Sequence, residues 1–187
     1  NNVPLLKEIS AHVPPVIKKT LPVNISAPSG CHRYVGRVIS GIRANAQTPI
    51  WMQERLRRSG IRSIHPVVDV TNYILIEMGQ PMHAFDLQKI KGGINVRFGQ
   101  EGESLTLLDG KTISLNESAL VIADHEKALA LAGIMGGANS EVTDNTTDIF
   151  LESAFFDPLT IRITGRDFGL QTDGSHRWER GVDFTMQ

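Results

Sequence analysis

Apolar and polar positions along this chain follow two periods, near two and near 3.6 residues, and the switches between them lay out the elements. Residues 33–42 (RYVGRVISGI) alternate roughly apolar with polar and carry β-branched side chains, which predicts a strand. Thr48-Pro49 then reads as an N-cap followed by a first-turn proline, and residues 50–59 as a helix stopped by Gly60. The run PVVDVTNYILIEM is rich in Val, Thr and Ile, yet Val67, Val70, Ile74, Leu75 and Met78 share one helical face, so helix is predicted over 66–78. From Ile94 onward strands dominate: INVRF, then SLTLLDGKTISL with a two-residue hairpin signal at Asp109-Gly110, then ALVIAD and ALALAG around a turn at 124–127. A polar loop at 140–148 precedes a strand at 149–155, Asp157-Pro158 opens a helix to about Phe168, and residues 174–181 read as further helical turns. Prolines 14, 15 and 22 reduce residues 1–24 to an irregular lead-in with one short helix at 5–12. The pattern predicts an α+β chain, a single compact body whose β-sandwich-like core of mostly antiparallel strands carries helices packed on one side. It contains no repeat and no low-complexity tract.

Composition narrows the class. A chain of 187 residues that is 41% hydrophobic can bury a substantial core and is too apolar to be disordered. No stretch approaches the ~20 apolar residues that span a bilayer, and no basic-then-apolar leader opens the chain, so a cytoplasmic protein without membrane contact is expected. Cys31 is the single cysteine; it excludes an internal disulfide and a multi-cysteine metal site. Lys and Arg total 19 against 20 Asp and Glu, a net charge of -1 that offers a polyanion no general attraction. The chain starts at Asn1 rather than methionine and ends directly after RWERGVDFTM, as an excised segment of a longer protein would.

Four stretches could carry chemistry, and each also has a structural reading. His83, in GQPMHAFD after Gly79 and Pro81, reads as a loop histidine that either acts or ties the loop down. Thr71 and Asn72 could be polar groups on a helix surface. LAGIMGG, residues 131–137, is bare enough for backbone to meet a ligand, or is a tight turn between strands. Glu152 sits inside the apolar strand IFLESAFF and shares a face with Phe150 and Ala154, so it lines a pocket or lies on a solvated face. GxSxG, HExxH and Walker patterns are absent, and EVTDNTTD lacks the glycine and final glutamate of an EF-hand loop.

Read together, VVDVTNYILIEMGQPMHAFD, LAGIMGG, FLESAFFDP and TDGSHRWERGVD resemble the central editing module of the β subunit of bacterial phenylalanyl-tRNA synthetases. The resemblance divides the chain into a lead-in at 1–32, linking from a preceding tRNA-binding domain, and the module at 33–187. It implies hydrolysis of tyrosine wrongly esterified to the phenylalanine tRNA. Such a second sieve is needed because a pocket shaped for phenylalanine rejects the hydroxylated ring by only on the order of 10²-fold. By the same resemblance Glu152 accepts the tyrosine hydroxyl, Ala154 forms pocket wall, and Ala132, Gly133, Gly136 and Gly137 approach the ester and the terminal adenosine. Thr71, Asn72 and His83 would stand at the ester end, with His83 as general base or, as favoured here, as a positioner beside a ribose hydroxyl that assists the water. Backbone N–H groups of 133–137 and the Asn72 amide are candidate oxyanion donors. The implied partners are the 3′ end of mischarged tRNA and the α subunit of a heterotetramer. ATP and magnesium are expected in the full enzyme, with no cofactor or metal in this segment. The competing expectation is a non-catalytic module that scaffolds the synthetase or docks tRNA.

Overall fold

The computed structural model describes residues 13–187. The short helix expected at 5–12 lies outside them. In chain order the elements are β1 (Val23–Ile25), β2 (Cys31–Ser40), α1 (Ile50–Arg58), α2 (Pro66–Met78), β3 (Met82–Asp86), β4 (Ile94–Phe98), β5 (Ser104–Thr106) and β6 (Thr112–Ser114). There follow β7 (Leu120–Ala123), β8 (Ala128–Leu131), β9 (Met135–Gly136), β10 (Asp148–Phe156), α3 (Pro158–Phe168) and α4 (Asp173–Arg180). One sheet has the order β1-β4-β7-β8-β9, a second β2-β10-β3, and β5 pairs with β6 alone. All these pairings are antiparallel except β1 with β4. The result is the mixed α+β body of mostly antiparallel sheets that the periodicity predicts.

Strand β10 organises the second sheet because its period of two sorts its side chains cleanly. Phe150, Glu152, Ala154 and Phe156 are buried, while Leu151, Ser153 and Phe155 are half-exposed. The buried face of β10 joins Val38 and Phe85 of its neighbours and Val96, Leu120, Ile122, Leu129 and Leu131 of the five-stranded sheet in one continuous apolar core. At about 25 cal/mol for each Å² of apolar surface removed from water, that shared core dominates the stability of the fold. Helices α1 and α2 pack on one another with α2 against β3; α3 and α4 pack likewise, with α3 against β7.

Several local expectations change. His83 is not in a loop: it lies in β3, paired with the middle of β10, because the backbone of MHAFD finds ladder partners there that the local sequence does not advertise. Thr48 does not cap α1. Pro49 holds the cap position without a side-chain bond, and the Thr48 hydroxyl instead donates to the buried Asp69 carboxylate of α2. The first 24 residues are not wholly irregular, since Val23–Ile25 adds a parallel edge to β4. The Asp109-Gly110 hairpin is wider than two residues: pairing stops at Thr106↔Thr112, and Leu107 bridges to Gly137 instead. By contrast α2 and α3 span the predicted residues, each opened by a proline in its first turn and closed by a left-handed glycine, Gly79 at φ 73° and Gly169 at φ 63°.

Candidate functional site

The two sheets and the start of α4 line a cavity of about 100 Å³ that opens to solvent, roomy enough for several water molecules. Its floor is Glu152 on β10 and His83 on β3, which are direct cross-strand partners and so project from the same face. Its opposite wall is the β8–β9 turn. Leu131 pairs with Met135 and Ala130 with Gly136, so LAGIMGG is a tight reversal between strands and also a cavity wall. Gly133 turns the chain at φ 67°, a backbone conformation that side-chain-bearing residues seldom adopt. Gly136 makes room for the histidine: a Cβ there would stand 2.7 Å from Cε1 of His83.

Of the other sequence-derived candidates, Ala132 and Gly133 line this cavity. Thr71 and Asn72 line an adjoining pocket of about 270 Å³ that shares the walls Pro81, Met82, Ile134 and Gly174. The Thr71 hydroxyl already donates to the Val68 carbonyl one turn back, at 2.9 Å, whereas the Asn72 amide makes no hydrogen bond among the described residues. Ala154 lies two residues along β10 on the buried face, opposite Tyr34 in the register and outside the cavity lining. Gly137 is likewise outside. It lets two backbones meet, since its N–H donates to the Leu129 carbonyl at 2.8 Å. Among the turn amides, Ala132 and Ile134 are also committed, to the Leu120 and Leu131 carbonyls. The Gly133 N–H has no protein acceptor among the described residues, and Gly133 lines the cavity.

Burial sets the charges here. Glu152 is 6% exposed, and desolvation pushes its carboxyl up to about 7 despite the hydrogen bond that Tyr34 Oη donates to Oε2 at 2.6 Å. The solvated-face reading of Glu152 therefore fails. Desolvation pulls the His83 imidazole down to about 4, so it is neutral at pH 7. The Cys31 thiol, at the start of β2, is pushed up to about 12, first by burial and then by the nearby Glu152 charge. The cavity thus combines an acidic acceptor poised near neutrality and an uncharged imidazole among largely apolar walls, one of them a turn whose Gly133 N–H has no protein acceptor among the described residues. Sequence reading missed Tyr34, which pattern alone shows as one more strand residue, and Gly174 and Trp178, which reach the cavity only because α4 folds back beneath the turn.

A family model for the B3/4 domain matches residues 30–187. The chain belongs to the B3/4 domain family. This B3/4 chain is 62% identical to the phenylalanine–tRNA ligase beta subunit of Colwellia psychrerythraea across 94% of its own length and 22% of that protein. It is 57% identical to the corresponding subunit of Yersinia pestis across its whole length and 24% of that protein. It therefore spans about a quarter of the relatives it matches. Among solved structures, an N-terminal fragment of the phenylalanyl-tRNA synthetase β subunit from Pyrococcus horikoshii superposes with a TM-score of 0.55 at 14% identity, covering 84% of this chain and 51% of that one. At that identity the likeness is one of B3/4 fold alone.

Proposed function

We propose that this chain is the editing module of a phenylalanyl-tRNA synthetase β subunit and hydrolyses tyrosine mischarged onto the phenylalanine tRNA. The observation that carries the reading is the buried Glu152 carboxyl, with Oε1 unpaired among the described residues, on the floor of a cavity whose far wall is the turn carrying Gly133 and Gly136. A phenol entering the cavity satisfies that oxygen. A phenyl ring leaves it desolvated and unpaired, which costs about 1–3 kcal/mol and more when the group is charged. Selectivity for tyrosine follows from this difference, the inverse of what an apolar synthetic pocket can achieve.

The ester end of the substrate would lie toward the pocket that Thr71 and Asn72 line, with the Gly133 N–H and the Asn72 amide free to receive developing negative charge on the carbonyl oxygen. An imidazole held near 4 accepts a proton poorly at neutral pH, so His83 acts by fixing the ester or the water through a ring nitrogen, while a hydroxyl of the terminal ribose assists the attack. One carboxyl and one imidazole do not make a magnesium or nucleotide site. ATP and magnesium belong to the ligation reaction of the full-length enzyme, and no step here passes through them. The α subunit and the tRNA 3′ end are the partners this reading requires.

The test is Glu152→Ala in the full-length synthetase. Phenylalanine charging should be unchanged, and tyrosyl-tRNA should accumulate in the presence of tyrosine. Accumulation no greater than in the parent enzyme would overturn the reading and favour a scaffold that only docks subunits or tRNA.

A further inference from the structure

Resting on the editing reading above, we propose that Tyr34 is a positioning residue that determines specificity: its hydroxyl occupies Oε2 of Glu152, keeps the carboxyl a hydrogen-bond acceptor, and leaves Oε1 as the single oxygen offered to the cavity.

Tyr34 sits on β2 directly opposite Ala154, whose small side chain leaves space for the phenol ring. The ring stacks on Phe150 at a centroid distance of 6.5 Å and an interplanar angle of 12°. Phe150 in turn lies across Gly36, the β2 partner of Glu152, where a Cβ would stand 2.0 Å from the ring. The bare position at 36 thus admits Phe150, Phe150 sets the Tyr34 ring, and the ring aims the hydroxyl at Glu152 over 2.6 Å. This chain of contacts gives Ala154 and Gly36 a part in the site although neither lines the cavity.

The hydroxyl matters because of what phenylalanine would leave behind. An ionised buried carboxylate without a partner is far more costly than a neutral carboxyl, so discrimination against the phenyl ring is greatest while Glu152 is charged. The Tyr34 bond favours the charged form against the opposing effect of burial. The other titratable groups facing Glu152 are His83 across the β10–β3 pair and Cys31 on β2, held at about 4 and about 12, so neither changes charge near neutrality. The β8–β9 turn, residues 132–134, contributes no titratable side chain, and the α4 residues at the cavity are Gly174 and Trp178.

The experiment measures the ratio of tyrosyl-tRNA to phenylalanyl-tRNA deacylation rates against pH in the full-length synthetase, for the parent, Tyr34→Phe and Glu152→Gln. Taking the ratio removes the common dependence of ester hydrolysis on hydroxide. In the parent the ratio should rise with pH around a midpoint near 7. Tyr34→Phe keeps the ring and its packing but should lower the ratio at neutral pH about tenfold, the loss of one hydrogen bond to a charged group, and move the midpoint upward. A second, graded variant carries 3-fluorotyrosine at position 34; its more acidic phenol donates more strongly and should move the midpoint downward. If Glu152→Gln flattens the profile while both Tyr34 variants leave ratio and midpoint unchanged, the role of Tyr34 is overturned and the editing reading stands. If Glu152→Gln itself changes nothing, the editing reading falls first.

Discussion

A carboxyl closed between two sheets costs stability whenever it carries its charge, and Glu152 is such a group. Its folded value of about 7 lies above the 4.5 of an ordinary glutamate. The unfolded chain thus loses the proton first as pH rises. The contribution of this group to stability is fully present below about pH 4 and is lost as pH rises through about 7. Glu152→Gln retains an acceptor oxygen for Tyr34 and never bears the charge. Thermal or urea unfolding should find this variant more stable than the parent at pH 8, on the order of 2 kcal/mol, and no more stable at pH 4. Equal differences at both values would mean that the carboxyl is solvated in the native state. The charge of Glu152 is therefore held against the fold, a cost that stability alone does not account for.

At the scale of elements, helix α2 shows how a buried acid can have the opposite sign. Asp69 is fully buried in the first turn of α2, and burial works against its charge. Hydrogen bonds from Ser63, Thr48 and the Ile64 N–H outweigh that and hold the carboxyl below its usual range. These bonds pin α2 to the segments that flank α1. Asp69→Ala should lower stability by about 2–4 kcal/mol at neutral pH, seen as a fall in urea midpoint at unchanged slope. The lowered value makes this contribution present above about pH 4 and lost as pH falls through the folded value, so parent and variant should converge in acid. Legibility followed the same division between local and distant causes. Helix α2 was readable because its apolar face, its opening proline and Gly79 are all local signals. Thr48 was misread as a cap because its real partner, Asp69, lies 21 residues on. Strand β3 was missed because five residues between a proline and a short 3₁₀ turn pair with β10 more than 60 residues away.

For the molecule as a whole, the site exists only where both sheets close on one another. The strand period placed Glu152 on one face with Phe150 and Ala154, but that this face is buried, its pairing with His83 and its hydroxyl from Tyr34 are products of sheet order that no local pattern encodes. The whole chain also constrains how a tRNA could be held. A net charge of -1 releases few counterions on binding a polyanion, and affinity for nucleic acid rises mainly with the number of phosphates neutralised. On the proposed editing reading, the cavity would take an amino acid and a few atoms of its ester, not the body of the tRNA. The chain spans about a quarter of the ligase subunits it resembles, so the surfaces that bring the 3′ end to this cavity are expected in the remainder. The chain alone should accordingly deacylate tyrosyl-tRNA at least tenfold more slowly than the full-length synthetase at equal, sub-saturating concentration, while raising the substrate concentration should narrow the gap. Rates compared across a tRNA titration decide it. Matching rates at low substrate would show that these residues carry their own tRNA-binding surface, and a gap that persists at saturation would show that the cavity is completed by residues outside the chain.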